Sequence, residues 1–250
     1  FGYKVDTLNT SKVFAQSFDL NYNLNSAINF GFSSTLGSRL PHLSEYYGFY
    51  LFNSQDGFDY VGNPNLSNEG FFKNSIDFKF SHKKQNLSVS LFSYRFSNYI
   101  FGVYDDSYYQ MTIGANGVKL YNNMGNASIN GVEVTSIMQF SKTVNNSLVM
   151  SFQHGQGEKI GALPWISPFN LTNTTNAQVL GFNFFLSQTY NAAQNRFNAV
   201  FGENATPSFY LLDFAISKEV NVASLKTAIK IGCNNAFDTF YHTHLDWNDI

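Results

Sequence analysis

The 250-residue chain is poor in charge, holds one cysteine and has no long hydrophobic run, and each of these absences excludes something. Charged residues make up 13% of it, where a water-facing surface ordinarily needs about a quarter. Much of this protein is therefore expected to be covered by something other than water. The net charge is −2, and the nearest approach to a basic run is Lys83-Lys84 beside His82, so no nucleic acid is expected as partner. With Cys233 as the single cysteine there is neither a disulfide framework nor a multi-cysteine metal knuckle. A transmembrane helix needs roughly 18 consecutive apolar residues, and stretches such as Leu180–Leu186 are far shorter and broken by Gly181 and Asn183. No secretory signal is visible before Phe1. The first residues read as the end of a strand, so the chain is expected to be a fragment whose N-terminal portion lies elsewhere.

What is present in quantity is aromatic: 27 Phe and 15 Tyr. Large apolar residues alternate with polar ones over long stretches, as in Phe14–Tyr22, Ile28/Phe30/Phe32, Ile76/Phe78/Phe80, Leu87/Val89/Leu91, Val132/Val134, Leu148/Met150/Phe152, Leu180/Phe182/Phe184/Leu186, Leu212/Phe214/Ile216 and Leu225/Thr227/Ile229/Ile231. A period of two gives a strand one greasy and one polar face. The polar face carries Asp77, Lys79, Glu133, Asp213, Lys226 and Lys230, while Cys233 shares the apolar phase. Alternation alone fits a soluble sandwich or a membrane barrel. Two further features favour the barrel. Several strands reach the 9–11 residues of a tilted crossing, and the links sort into short and long. Short ones lie at Asn23–Ser26, Lys83–Asn86, Lys142–Asn146 and Asn221–Ser224; long ones at Gly37–Gly70, Gly102–Gly117, Gly155–Pro164 and Asn191–Pro207. Short periplasmic turns and long extracellular loops are the barrel pattern.

The phase changes within Leu87–Phe96, which predicts a β-bulge near Leu91-Phe92. Strand direction also requires an even number of crossings between the turns at Lys142–Asn146 and Asn221–Ser224, whereas three units are visible. Splitting Trp165–Tyr190 near Thr175–Ala177 restores the count, so a hairpin is predicted there.

Five phrases then resemble motifs of the TonB-dependent receptors, in that family's order. They are Arg39-Leu40-Pro41-His42-Leu43-Ser44-Glu45-Tyr46-Tyr47, Gly62-Asn63-Pro64-Asn65-Leu66-Ser67-Asn68-Glu69, Asn126 through Gly131-Val132-Glu133-Val134, Ala205-Thr206-Pro207-Ser208-Phe209-Tyr210-Leu211-Leu212, and Asn234-Asn235-Ala236-Phe237-Asp238-Thr239-Phe240-Tyr241 followed by His244-Leu245. Ser208 and Ala236 stand where the family has glycine and leucine. The resemblance implies an all-β, antiparallel transmembrane β-barrel of 22 strands, of which residues 1–250 supply about ten, with the plug and the final strand absent. It implies import of a scarce nutrient across the bacterial outer membrane. The partners would be outer-membrane lipid and lipopolysaccharide, TonB through the missing N-terminal plug, and a small-molecule nutrient. The segment 191–209 is more similar to receptors for metals or siderophores than for glycans, so a metal chelate is the preferred cargo. The alternative is a structural or interaction subunit of a larger outer-membrane complex. No resident cofactor is expected.

Candidate site residues follow. The aromatic loop from Gly37 to Gly70 makes His42, Tyr46, Tyr47, Tyr50, Phe58 and Tyr60 candidate ligand contacts, with His154 near another long loop; Arg39, Pro41 and Glu45 suit a structural role in the loop base equally. His242-x-His244 is the closest histidine pair and a candidate copper or zinc ligand set, although His244 also matches a family position of structural kind. The six charged residues of the polar face are expected to line the lumen and touch the plug. Trp165, Trp247 and tyrosines near strand ends are expected to form interfacial girdles. Gly155–Gly161 looks like a phosphate loop but has the wrong spacing. No catalytic constellation appears, and an enzyme is not expected.

Overall fold

The structure, a computed structural model, describes residues 12–222 and 225–246. In chain order its strands are β1 (Ala15–Asn23), β2 (Ile28–Arg39), β3 (Leu51–Asn53), β4 (Phe58–Val61), β5 (Glu69–His82), β6 (Gln85–Ser97), β7 (Ile100–Tyr104), β8 (Val118–Asn123), β9 (Ala127–Gln139), β10 (Val144–Gly157), β11 (Gly161–Ala162), β12 (Asn170–Val179), β13 (Phe182–Asn191), β14 (Phe209–Val222) and β15 (Leu225–Cys233). Ten of them form an antiparallel meander, β1-β2-β5-β6-β9-β10-β12-β13-β14-β15, with β11 added to β10. The two ends of this wall, β1 and β15, each pair on one side, so the barrel is not closed.

The registers carry side-chain position across the whole wall. Phe32 on β2 stands beside Ile76, then Leu91, Val132 and Phe152. Phe30 stands beside Phe78, Val89, Val134 and Met150. The row between them is Gly31, Asp77, Ser90, Glu133 and Ser151, on the opposite face. Asp213, paired with Ser187, and Lys226 and Lys230, paired with Asn221 and Ser217, share that polar face with Lys79. A row that starts in the apolar band at Phe214 passes Leu186 and Thr175, leaves the band at Asn146 and ends at Gln85 and His82. The band is oblique to the hydrogen-bonded rows, as it must be if tilted strands cross a flat apolar slab.

Two expectations need correction. There is no bulge at Leu91-Phe92, because Ile76–Leu91 and Ser75–Phe92 are consecutive pairs. The phase change has another cause. Phe92 lies on the polar face over Gly131, where an added Cβ would stand 2.3 Å from its ring, and Phe71 covers Gly37 likewise at 2.6 Å. An aromatic laid over a cross-strand glycine puts apolar surface on the polar face without a change of register. The hairpin within Trp165–Tyr190 is present, but it turns at Leu180-Gly181 and not at Thr175–Ala177; Asn176 lies inside β12. Leu180 (φ 51°) and Gly181 (φ 77°) both take the positive φ of a type I′ turn. The Asn- and Thr-rich stretch that resembled a turn is a polar ladder instead. Asn146 donates to Asn173 and Thr175 (3.0 and 2.9 Å), and Thr172 meets Thr189 at 3.3 Å.

All short turns lie at one end of the wall, and the long loops, which gather at the other, carry structure of their own. Helix α1 (Leu43–Tyr47) opens the first, and β3, β4, β8 and β7 form a separate four-stranded sheet joining the first and second loops, with β4 and β8 parallel. A small core of Ala127, Leu163 and Ile166, with Phe96, Tyr99, Ile129 and Ile160 around it, seats the third loop on the polar side of the wall.

Candidate functional site

The long loops lock together into a cap, and three buried polar centres hold it. Arg39, at the end of β2, is the first. Its guanidinium donates to Glu45 Oε2 at 2.8 Å and to Glu69 Oε1 at 3.0 Å. Glu45 also accepts the His42 N–H at 2.6 Å, and Glu69 accepts the Ile100 N–H at 3.1 Å. One cation thus ties the base of the first loop to β5 and to the start of the second loop. Arg39 and Glu45 are structural here, with their hydrogen-bonding capacity turned inward.

Lys119 on β8 is the second centre, and its side chain is fully buried. Its Nζ sits 2.6 Å from Asp56 Oδ2, donates to the Val200 carbonyl and lies 4.2 Å from the centre of the Phe58 ring. Tyr60 donates to the same Asp56 oxygen at 2.6 Å. Burial pulls the Lys119 ammonium below its ordinary range, with Asp56 opposing, and pushes the Tyr60 hydroxyl well up. Nearby, buried Asp59 accepts the N–H groups of Met111 and Thr112 at 2.8 and 2.9 Å. Burial alone would raise its carboxyl, but the Thr112 hydroxyl together with these two backbone donors outweighs it and holds it below the usual carboxylate range. The centre therefore joins three loops: residues 40–68, 98–126 and 192–208.

Glu203 is the third. Its carboxylate accepts the N–H of Trp165 at 2.6 Å and of Asn198 at 2.8 Å, and lies 3.5 Å from His244 Nε2. Thr206 Oγ1 stands 3.4 Å from His244 Nδ1. Burial pushes the Glu203 carboxyl up, but His244 and the two backbone donors together bring it below its ordinary value. The segment after β15 is clamped to the cap through this imidazole.

The candidate residues distribute unevenly over this frame. His42 caps α1 and is exposed, Tyr47 is 64% exposed, and Tyr50 is half-buried in a left-handed conformation. Tyr46 donates to the Leu66 carbonyl at 3.5 Å. Phe58 and Tyr60 are built into the Lys119 centre, and Tyr60 is only 4% exposed, so Tyr60 belongs to the core of the cap and not to its surface. His154 pairs with Asn130 on the apolar face of β10, where it borders a cavity with Pro168 and Phe169 of the third loop and Gln194 and Arg196 of the fourth. Of the histidine pair, His244 has both ring nitrogens against Thr206 and Glu203. His242 and His244 border a polar cavity of about 270 Å³ with Asp246 and Gln55, but among the described residues no three His, Cys, Asp or Glu side chains are placed to hold a metal ion. Trp165 packs edge-on to Phe201 of the fourth loop, 4.9 Å between ring centres, and stays 45% exposed; Trp247 lies outside the described residues. The phosphate-loop look-alike is the end of β10, a turn and β11, with no helix after it. Sequence reading missed Asp56, Asp59, Lys119, Asn198 and Glu203. The sequence held little signal for them, because charged residues are seldom fully buried and become so only through partners that folding supplies.

The family "TonB dependent receptor-like, beta-barrel" matches residues 1–236. No curated protein sequence matches the chain. Among solved structures it is similar to the copper transporter OprC, with a TM-score of 0.71, 16% identity and coverage of 92% of this chain and 34% of that one. It is similar to the siderophore receptor PirA from Pseudomonas aeruginosa, with a TM-score of 0.66, 15% identity and coverage of 90% and 39%. It is also similar to a ferric enterobactin receptor (PfeA) variant from Pseudomonas aeruginosa in complex with enterobactin, at 0.71, 14%, 90% and 35%. The chain spans a little over a third of the length of these structures, and at such identities the likeness is one of fold.

Proposed function

The chain belongs to the TonB-dependent receptor β-barrel family, and from that premise we propose that it is the C-terminal part of an outer-membrane transporter that imports a metal chelate. The observation that carries the reading is the cap: four loops interlocked through Arg39, Lys119 and Glu203 at one end of a wall whose apolar band is oblique to its rows. In this reading the cap is extracellular and the apolar face meets lipid. Asp77, Lys79, Glu133, Asp213, Lys226 and Lys230 line the lumen, where they meet a plug that contacts TonB. His42, Tyr46, Tyr47 and Tyr50 remain as ligand contacts, an aromatic and weakly charged surface suited to the bulky shell of a siderophore. The copper and ferric enterobactin proteins among the structural neighbours support a metal complex as cargo.

The test is uptake by cells whose sole receptor is the full-length protein. Radiolabelled iron supplied as ferric enterobactin or other ferric siderophores, and copper, should enter only with TonB present. Removing the aromatic ring in Tyr47→Ala should weaken chelate binding about tenfold, the size of a typical ring contact, with the barrel still heat-modifiable. Uptake of none of these metals, or uptake unchanged without TonB, would overturn the proposal.

A further inference from the structure

Charge is sorted between the wall and the cap. Segments 40–68, 98–126, 158–169, 192–208 and 234–246 lie beyond the cap ends of the wall strands. They hold nine of the 17 acidic residues but three of the 15 lysines and arginines. Their net charge is −6 where the whole chain carries −2, so the remainder of the chain is positive. The centres that hold the cap together are themselves under-neutralised. Arg39 faces two carboxylates, Glu45 and Glu69. Asp59 is wholly buried and held by N–H groups, with no cation against it among the described residues. Glu203 is held by N–H groups and an imidazole. Each leaves a negative charge over, and Lys119 with Asp56 alone balances. At the surface of these segments Asp106, Glu158, Asp238 and Asp246 are exposed. Their exposed cations are Lys159 and Arg196, and Arg196 is tied to Gln156 at 2.7 Å.

The cavity of about 270 Å³ between the fourth loop and the segment after β15 has the same character, bordered by Glu203, Asp246, His242 and His244. His244 Nε2 is buried, 3.5 Å from Glu203, and makes no hydrogen bond within the described residues. Carboxylates and imidazoles suit a cation, yet no three of them are placed to bind a bare ion among the described residues. A cation there would keep its own ligands or water.

Charge of one sign around a cleft speeds encounter with the opposite sign by about 10- to 1000-fold, and buried charges are screened less than exposed ones. Aromatic faces also draw cations, and the rings of Tyr47, Tyr104, Tyr109 and Trp165 are each at least 45% exposed. We propose that the cap selects cargo by charge, admitting a metal as a cationic complex and turning away anionic chelates. Such selection rests on the reading of the chain as part of an importer of metal complexes.

The test is uptake by cells whose sole receptor is the full-length protein. Radiolabelled copper is supplied as its bis-ethylenediamine cation, its neutral bis-glycinate complex or its anionic ethylenediaminetetraacetate complex, and radiolabelled iron as anionic ferric enterobactin. The cation should enter about tenfold faster than either anion at low salt, and the gap should shrink as salt is raised. A variant carrying Asp106→Lys and Asp238→Asn alters two exposed side chains that take no hydrogen bond from a described residue. It should slow the cation about tenfold and leave the neutral complex unchanged. An anionic or neutral complex entering as fast as the cation, or a cation rate indifferent to both salt and the variant, would overturn the inference. The wild-type comparison and the salt series decide even if the variant fails to fold. Entry of none of the four with TonB present would instead overturn the underlying reading, whereas TonB-dependent entry of ferric enterobactin ahead of the cation sinks charge selection alone.

Discussion

A single carboxylate, Glu203, shows how much the cap asks of individual residues. It holds two backbone N–H groups and an imidazole, and its folded pKa lies below its ordinary value of 4.5. A carboxylate with a depressed folded pKa contributes stability that is fully present above its unfolded value and lost as pH falls through the folded one. The cap should therefore loosen below about pH 4.5. Trp165, whose N–H bonds to Glu203, is the reporter, in full-length protein with every other tryptophan replaced by phenylalanine. Its emission should shift as acid is added, and Glu203→Gln should show the shift already at neutral pH. Loss of the charged acceptor should cost the cap about 1–3 kcal/mol. A pH profile unchanged by Glu203→Gln would show that the carboxylate does not hold the segment. None of this was legible from Glu203 in the sequence, where it lay unremarked within the segment 191–209. Its partners Trp165, Asn198 and His244 are distant along the chain, and only folding brings them to it.

At the scale of elements, alternation was a sound guide wherever one face is greasy, and it misled where an aromatic crosses to the other face. Phe92, Tyr94 and Phe96 broke the phase of β6 without breaking its register, because Phe92 fills the space over Gly131. The glycine is required by that contact. An alanine Cβ there would meet Phe92 at 2.3 Å and the Phe152 carbonyl oxygen at 2.7 Å. Gly131→Ala should cost about 1–3 kcal/mol, read as a lower urea midpoint of the full-length barrel. Adding Phe92→Ala should restore part of the loss, since the carbonyl clash remains. A neutral Gly131→Ala would mean that the ring does not need the gap. The hairpin in β12–β13 teaches a related lesson. Counting crossings demanded it, but the Asn and Thr side chains that suggested Thr175–Ala177 as the turn are spent on ladder hydrogen bonds. The chain turns at Leu180-Gly181, where Gly181 accepts a positive φ without strain.

For the molecule as a whole, the two faces of the wall make a direct prediction about solvent. In full-length protein with every native cysteine replaced by serine, fluorophores on cysteines placed at Phe78 and Leu91 should be quenched by lipid-confined quenchers, and those at Asp77 and Ser90 should not. The reverse pattern would make the apolar face an interior one and the protein no membrane barrel. Fold class, the polar and apolar faces and the need for a hairpin were written in the sequence, because strand alternation and loop length are local properties read off neighbouring residues. Which polar residues lie buried in the cap was decided by tertiary structure alone. Lys119 with Asp56, Glu203 with His244 and Arg39 with Glu69 are far apart along the chain, and such polar contacts acquire meaning only when folding removes the water between them.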